Sequence, residues 1–167
     1  MKSDTIAAIA TALSDAGIGI IRISGPEAIA VANRVVVNKK KEHTLKNWQT
    51  HTIHYGFVEE NGMILDEVMV SVMKAPRSYT TEDTVEINCH GGVLLTKRVL
   101  EAVLHAGARM AEPGEFTKRA FLSGRIDLSE AEAVMDLIQA KNQFSMQASI
   151  KQLRGSVAEK VKSLRAA

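Results

Sequence analysis

His51-Thr52-Ile53-His54-Tyr55-Gly56-Phe57-Val58, then Glu60-Asn61-Gly62, then Met63 through Met73 is the stretch on which the fold turns. Two runs rich in β-branched and aromatic residues flank an Asn-Gly pair, which tolerates the positive φ angles of a tight hairpin. An antiparallel pair of strands follows. Toward the N-terminus, Thr5–Ala10 and Gly19–Ile23 read as short strands joined by a Ser14-Asp15-Ala16-Gly17 turn. Ser24-Gly25-Pro26-Glu27 then reads as a helix start. Ser24 serves as the cap, Pro26 sits in the first turn, and Glu27 takes the capping-box spacing. Ile29, Val31 or Ala32, and Val35 or Val36 follow at helical intervals.

On the other side of the hairpin, Ala75–Asp83 reads as a loop and Thr84–Cys89 as a strand. His90-Gly91-Gly92 forms a glycine turn, and Val93–Ala106 an amphipathic helix ended by Gly107. Asn38–Asn47 is a polar connection whose Lys39-Lys40-Lys41 run is a solvated loop, with a nucleic-acid contact as the alternative. Hairpins mixed with helices give an α+β class: a mixed-sheet domain with packed helices, followed by the opening helices of an all-α domain.

The second regime starts at Asp127. Asp127-Leu128-Ser129-Glu130 and Ser129-Glu130-Ala131-Glu132 both satisfy a capping spacing, so the start is specified and its register is not. Met135, Ile138, Met146, Ile150, Leu153, Val157, Val161 and Leu164 recur mainly at threes and fours, a stripe that needs a partner surface. Charge divides in the same way. Residues 141–167 hold six basic residues against one acidic, a net of +5, while residues 1–140 hold fifteen against eighteen, a net of −3. The expected boundary places one domain over 1–120 and the start of a helical one over 121–167.

Composition excludes several classes. Of 167 residues, 46% are hydrophobic and 24% charged, so the chain is able to build a core and is not of the disordered type. No apolar run approaches the ~20 residues of a membrane span, and the N-terminus has no apolar secretory core. The lone Cys89 excludes an internal disulfide and fits a reducing cytoplasm. A net charge of +2 is too small to indicate nucleic acid by itself. Neither a Gly-x4-Gly-Lys-Ser/Thr loop nor a Gly-x-Gly-x-x-Gly turn after a strand occurs, so neither common phosphate cradle is present. One cysteine and five scattered histidines give no metal-ligand spacing. His51 and His54, three apart on a strand, face opposite ways and read as surface residues.

Cys89-His90 suggests a nucleophile beside a base, but neighbours on a strand point apart and no third group orients them; a buried, unreactive thiol is the better reading. The free N–H groups after Gly91-Gly92 offer a possible anion site. Arg22 inside Gly19–Ile23, Glu86 inside Thr84–Cys89, and Arg125 before the long helix are charges in unexpected places. Each is either an outward-facing residue or part of a ligand site. Converging, one carboxylate and two guanidiniums suit a flat heterocycle with an amino-amidine edge and a carboxylate tail.

Several ordered motifs resemble one family. They are Asp4-Thr5-Ile6-Ala7-Ala8, Gly17-Ile18-Gly19-Ile20-Ile21-Arg22-Ile23-Ser24-Gly25, Ser78-Tyr79-Thr80-x-Glu82-Asp83, Glu86-Ile87-x-Cys89-His90-Gly91-Gly92, and Glu112-Pro113-Gly114-Glu115-Phe116-Thr117-x-Arg119-Ala120-Phe121-Leu122. With Asp127-Leu128-Ser129-x-Ala131-Glu132-Ala133, the chain resembles the N-terminal region of the MnmE (TrmE) tRNA modification GTPases, which are related to tetrahydrofolate-binding aminomethyltransferases.

That resemblance implies a folate-binding, homodimer-forming domain for a tetrahydrofolate derivative in its 5-formyl or 5,10-methylene form. Its folate contacts map onto Arg22, Glu86 and Arg125; no catalytic and no metal-binding residue is implied. The family carries a GTPase domain, using GTP, Mg2+ and K+, inserted in its helical domain. With the flavoprotein MnmG it modifies C5 of the wobble uridine in certain tRNAs, in the cytoplasm and without a membrane. The phosphate loop and the family's C-terminal cysteine are absent from these 167 residues, and Cys89 does not take that cysteine's role. Residues 12–16 also depart from the family's proline- and glycine-bearing turn. Two other readings compete: a stand-alone aminomethyltransferase-like folate protein, with Asp83, His90 or Glu115 as its acid or base, and a pure dimerisation module.

Overall fold

The computed structural model describes residues 4–154. It divides into two compact units, the first ending at Pro113 and the second beginning at Gly114. The first unit is built on a seven-stranded sheet of order β3-β4-β5-β6-β2-β1-β7. The strands are β1 (Ile6–Ile9), β2 (Ile18–Ser24), β3 (Val36–Val37), β4 (Thr52–Glu60), β5 (Met63–Met73), β6 (Thr84–His90) and β7 (Arg109–Met110). Every pairing is antiparallel except β1 with β7, so the sheet is mixed. With α1 (Ala28–Val35) and α2 (Val93–His105) the unit is α+β, as expected.

The hairpin is the one anticipated: Asn61 and Gly62 adopt φ of 52° and 80°, the paired positive angles of a two-residue turn. Alternation then sorts the sheet into two faces. Ile21 and Ile23 of β2, Val68, Val70 and Val72 of β5, and Val85, Ile87 and Cys89 of β6 are buried in one core with Ala28, Val31, Ala32 and Val35 of α1 and Val99, Leu100 and Val103 of α2. Each of the valine, leucine and isoleucine side chains contributes about 1.5–3 kcal/mol by leaving water. The opposite face carries no helix of this unit, and Ile18, Ile53, Tyr55 and Met69 are exposed.

Several local expectations are corrected. The first helix starts at Ala28, and its N-cap position, Glu27, makes no side-chain cap. Ser24 belongs to β2 and is fully buried, its hydroxyl engaged with Thr80 and Glu82. The Oγ1 of Thr5 accepts the Glu27 N–H instead. A tertiary partner therefore replaces the local capping box. The 38–47 connection is largely exposed and its lysine run lies in a turn, but Leu45, in a short 3-10 turn over Leu45–Asn47, is fully buried. The two-residue strands β3 and β7 were too short for alternation to reveal.

The second unit holds α3 (Glu115–Leu122), α4 (Leu128–Gln139) and α5 (Gln143–Leu153). The sequence reading did not anticipate α3. The register left open at Asp127 is resolved: Asp127 Oδ1 accepts the Glu130 N–H and Glu130 Oε2 accepts the Asp127 N–H, both at 2.8 Å, closing the capping box. The apolar stripe that reads as continuous beyond it is divided between two helices, in keeping with the opening helices expected here. Ala140 is extended and Asn142 caps a new helix by accepting the Ser145 N–H at 2.8 Å. Val157, Val161 and Leu164, and the basic residues Lys160, Lys162 and Arg165, lie outside the described residues.

Candidate functional site

The open sheet face carries two cross-strand rows. Ile53, Ser71, Glu86, Arg22 and Ala8 stand in register on β4, β5, β6, β2 and β1. Beside them run Tyr55, Met69, Asn88 and Ile20. Arg22 and Glu86 are thus direct neighbours, which explains why each interrupts an apolar strand: both lie on the face away from α1 and α2. Arg22 Nε donates to Glu86 Oε1 at 2.8 Å, and the second guanidinium nitrogen reaches the same oxygen at 2.7 Å. No partner of Oε2 is present among the described residues. The pair is about three-quarters shielded, with side-chain exposures of 30% and 22%. The Tyr79 ring lies over the guanidinium, 5.9 Å from Cζ to ring centroid.

Tyr79 is held by its loop. Thr80 and Ser24 share a hydroxyl hydrogen bond at 2.6 Å, Ser24 donates to Glu82 Oε2 at 2.8 Å, and Ser78 donates to the Glu82 carbonyl at 2.6 Å. Thr81 takes φ of 63°, unusual for a β-branched residue and maintained by these anchors. Arg125, the third expected contact, belongs to the second unit, in the turn after α3, where its N–H donates to the Ala120 carbonyl at 3.0 Å. The first unit therefore brings together two of the three expected residues.

Cys89 and His90 do point apart. Cys89 is buried beneath α2 and donates to the Gly19 carbonyl at 3.3 Å, and burial pushes its thiol pKa up. His90 is exposed at the end of β6. Asp66, only 9% exposed, accepts its backbone N–H at 2.7 Å and meets Nδ1 at 2.8 Å. The hydrogen bond and charge of Asp66 raise the imidazole pKa. Sequence reasoning missed Asp66, because a separation of 24 positions between the partners leaves no spacing signal. A cavity of about 240 Å³ opens here, lined by Ile18, Tyr55, Glu67, Met69, Asn88 and His90 among others.

The other acid-base candidates have structural duties. Asp83 Oδ1 accepts the Ala75 N–H at 2.8 Å, and Glu115 pairs with Arg119 at 2.9 Å within the second unit. No group of three or more potential metal ligands occurs among the described residues. His51 is exposed in the turn before β4, and His54 stacks on Trp48 with centroids 3.9 Å apart.

A model of the family described as "GTP-binding protein TrmE N-terminus" matches residues 5–125. The chain belongs to the TrmE N-terminal family. Curated relatives agree with this TrmE assignment. A "tRNA modification GTPase MnmE" of Lachnoclostridium phytofermentans is 61% identical over 165 residues, covering 99% of this chain and 36% of that protein. Proteins of the same description from Listeria welshimeri and Streptococcus thermophilus are 54% and 55% identical, over 99% and 97% of this chain and 35% of each relative. The TrmE-type chain therefore spans about a third of the length of these relatives. Among the described residues no helix is long and apolar enough to cross a membrane.

Proposed function

We propose that this chain binds a tetrahydrofolate derivative, in the 5-formyl or 5,10-methylene form, and supplies that one-carbon donor within a tRNA-modifying GTPase. The observation carrying this reading is the Glu86 carboxylate on an open sheet face, paired with Arg22 through one oxygen only. A carboxylate accepting two parallel N–H bonds is the natural reader of a pterin's amino-amidine edge, and an arginine beside it suits the polar groups of the same cofactor. Family membership supports the assignment of the larger activity. In that assignment the complete protein hydrolyses GTP with Mg2+ and K+, works with the flavoprotein MnmG in the cytoplasm, and modifies C5 of the wobble uridine of tRNA.

Homodimerisation is part of the same proposal. Ile18, Ile53, Tyr55 and Met69 are exposed on a sheet face with no helix of its own unit over it, a surface that a second copy of the chain would cover. Arg125 remains the third expected folate contact, to be tested on its own by Arg125→Met.

Isothermal titration of 5-formyl-tetrahydrofolate against the wild type and Glu86→Ala tests the reading. Loss of the carboxylate weakens binding by about 30-fold or more. Equal affinity in the two proteins overturns the site.

A further inference from the structure

We propose that Tyr79 is a ligand-contacting residue of this site, a stacking surface for the flat head of the cofactor and a backing for the Arg22 guanidinium. The inference rests on the folate reading and deepens it. A guanidinium and an amino-amidine edge present the same pattern of two parallel N–H donors. Arg22 Nε donates to Glu86 Oε1 and a terminal guanidinium nitrogen lies against the same oxygen, and a carboxylate offers about two acceptor sites per oxygen. A ligand edge that spans Oε1 and Oε2 therefore competes with Arg22, which gives up at least one of its two contacts with Glu86.

A displaced guanidinium beside a shielded carboxylate is costly unless its charge stays compensated. The Tyr79 π face, already 5.9 Å from Cζ, contributes to that compensation while the exchange takes place. A planar head bound across Glu86 and Arg22 meets the same ring, a contact that needs an aromatic face and not the phenolic hydroxyl. The anchoring fits this duty. Buried Thr80 precedes Thr81, whose positive φ is held by hydroxyl bonds running through Ser24 and Glu82, so the loop keeps the neighbouring ring in place before any ligand arrives.

The test titrates 5-formyl-tetrahydrofolate and a tail-less tetrahydropterin against the wild type, Tyr79→Phe, Tyr79→Leu and Glu86→Gln, with thermal midpoints measured for each. Tyr79→Phe keeps both affinities within about twofold, because its ring remains. Tyr79→Leu weakens both ligands by about tenfold at an unchanged midpoint, since the lost contact is with the head they share. Wild-type affinity in Tyr79→Leu overturns the proposal. So does an equal loss in both Tyr79 variants, or a loss that follows a fallen midpoint. If the wild type binds neither ligand, or Glu86→Gln binds both as the wild type does, the folate reading itself fails and takes this inference with it.

Discussion

Two nitrogens of Arg22 converge on a single oxygen of Glu86, at 2.7 and 2.8 Å, across adjacent strands of a sheet face that bears no helix of its own unit. A pair placed for stability alone gains more from the two-oxygen fork, so the one-sided geometry separates the stability role from the binding role.

Stability and binding accordingly respond differently to substitution of this pair. Glu86→Gln preserves the shape and one acceptor, so its cost in unfolding free energy is about 1 kcal/mol, within the range of partly exposed ion pairs. Its cost in folate affinity is several times larger. Chemical denaturation beside isothermal titration checks this; a stability loss that matches the binding loss would mean that Glu86 only supports the fold.

The Asp66–His90 contact makes stability depend on pH in one direction. Asp66 raises the folded-state pKa of His90 above the value near 6.5 that an unfolded chain gives it. The stabilisation is therefore complete below about pH 6.5 and disappears as pH rises through the folded pKa. Thermal midpoints of the wild type and His90→Gln should differ at pH 6 and approach each other as the pH rises through the raised folded-state pKa of His90. A gap that widens toward alkaline pH contradicts the assignment. Asp66→Asn, which removes the charge, should behave as His90→Gln does.

How far the fold could be read from sequence depended on the distance between partners. Asn61-Gly62 announced its hairpin because the turn chemistry sits in two adjacent residues. Asp127 and Glu130 announced a helix start for the same reason, and only the structure chose between them and the pair Ser129 and Glu132. Ser24 misled because its local options were a cap and a strand end, and Thr80, 56 residues away, decided the outcome. Arg22 and Glu86 stood out as charges inside apolar runs, yet their pairing needs β2 beside β6, a neighbour relation set by sheet order. Asp66 carried no such mark, since an Asp near a hairpin reads as solvated. The break at Ala140 was masked because Met135, Ile138, Met146 and Ile150 keep the helical spacing across it.

Among the described glycines, Gly91 is the one least able to carry a side chain. A Cβ there would stand 1.8 Å from the Ala16 carbonyl oxygen, and the obstacle is backbone of the β1–β2 connection, which itself accepts the Gly91 N–H at Gly17 O. At Gly19 the nearest atoms belong to the buried Thr96 side chain, its Oγ1 at 2.6 Å and Cγ2 at 3.1 Å, and a side chain gives way at lower cost than backbone. Gly91→Ala should therefore cost about 3 kcal/mol or more, and Gly19→Ala about 1–2 kcal/mol. Urea unfolding of the two variants gives the order, and the reverse order would contradict the packing of that loop against the start of α2.

The choice of register at the head of α4 has its own measurable consequence. Asp127 accepts the Glu130 N–H, and Glu130 reaches back to the Asp127 N–H, so the reciprocal bonds belong to this pair. Ser129 is already inside the helix and donates its hydroxyl to Asp127 Oδ1 at 2.8 Å. Asp127→Ala loses the cap and a negative charge at the positive end of the helix dipole, at a cost of about 1–2 kcal/mol. Ser129→Ala removes one neutral donor and improves helix propensity, leaving stability changed by about 0.5 kcal/mol or less. Hydrogen exchange over residues 128–134 reads the difference directly. Faster exchange in Asp127→Ala than in Ser129→Ala is the expected result, and equal exchange would move the helix start to the alternative pair.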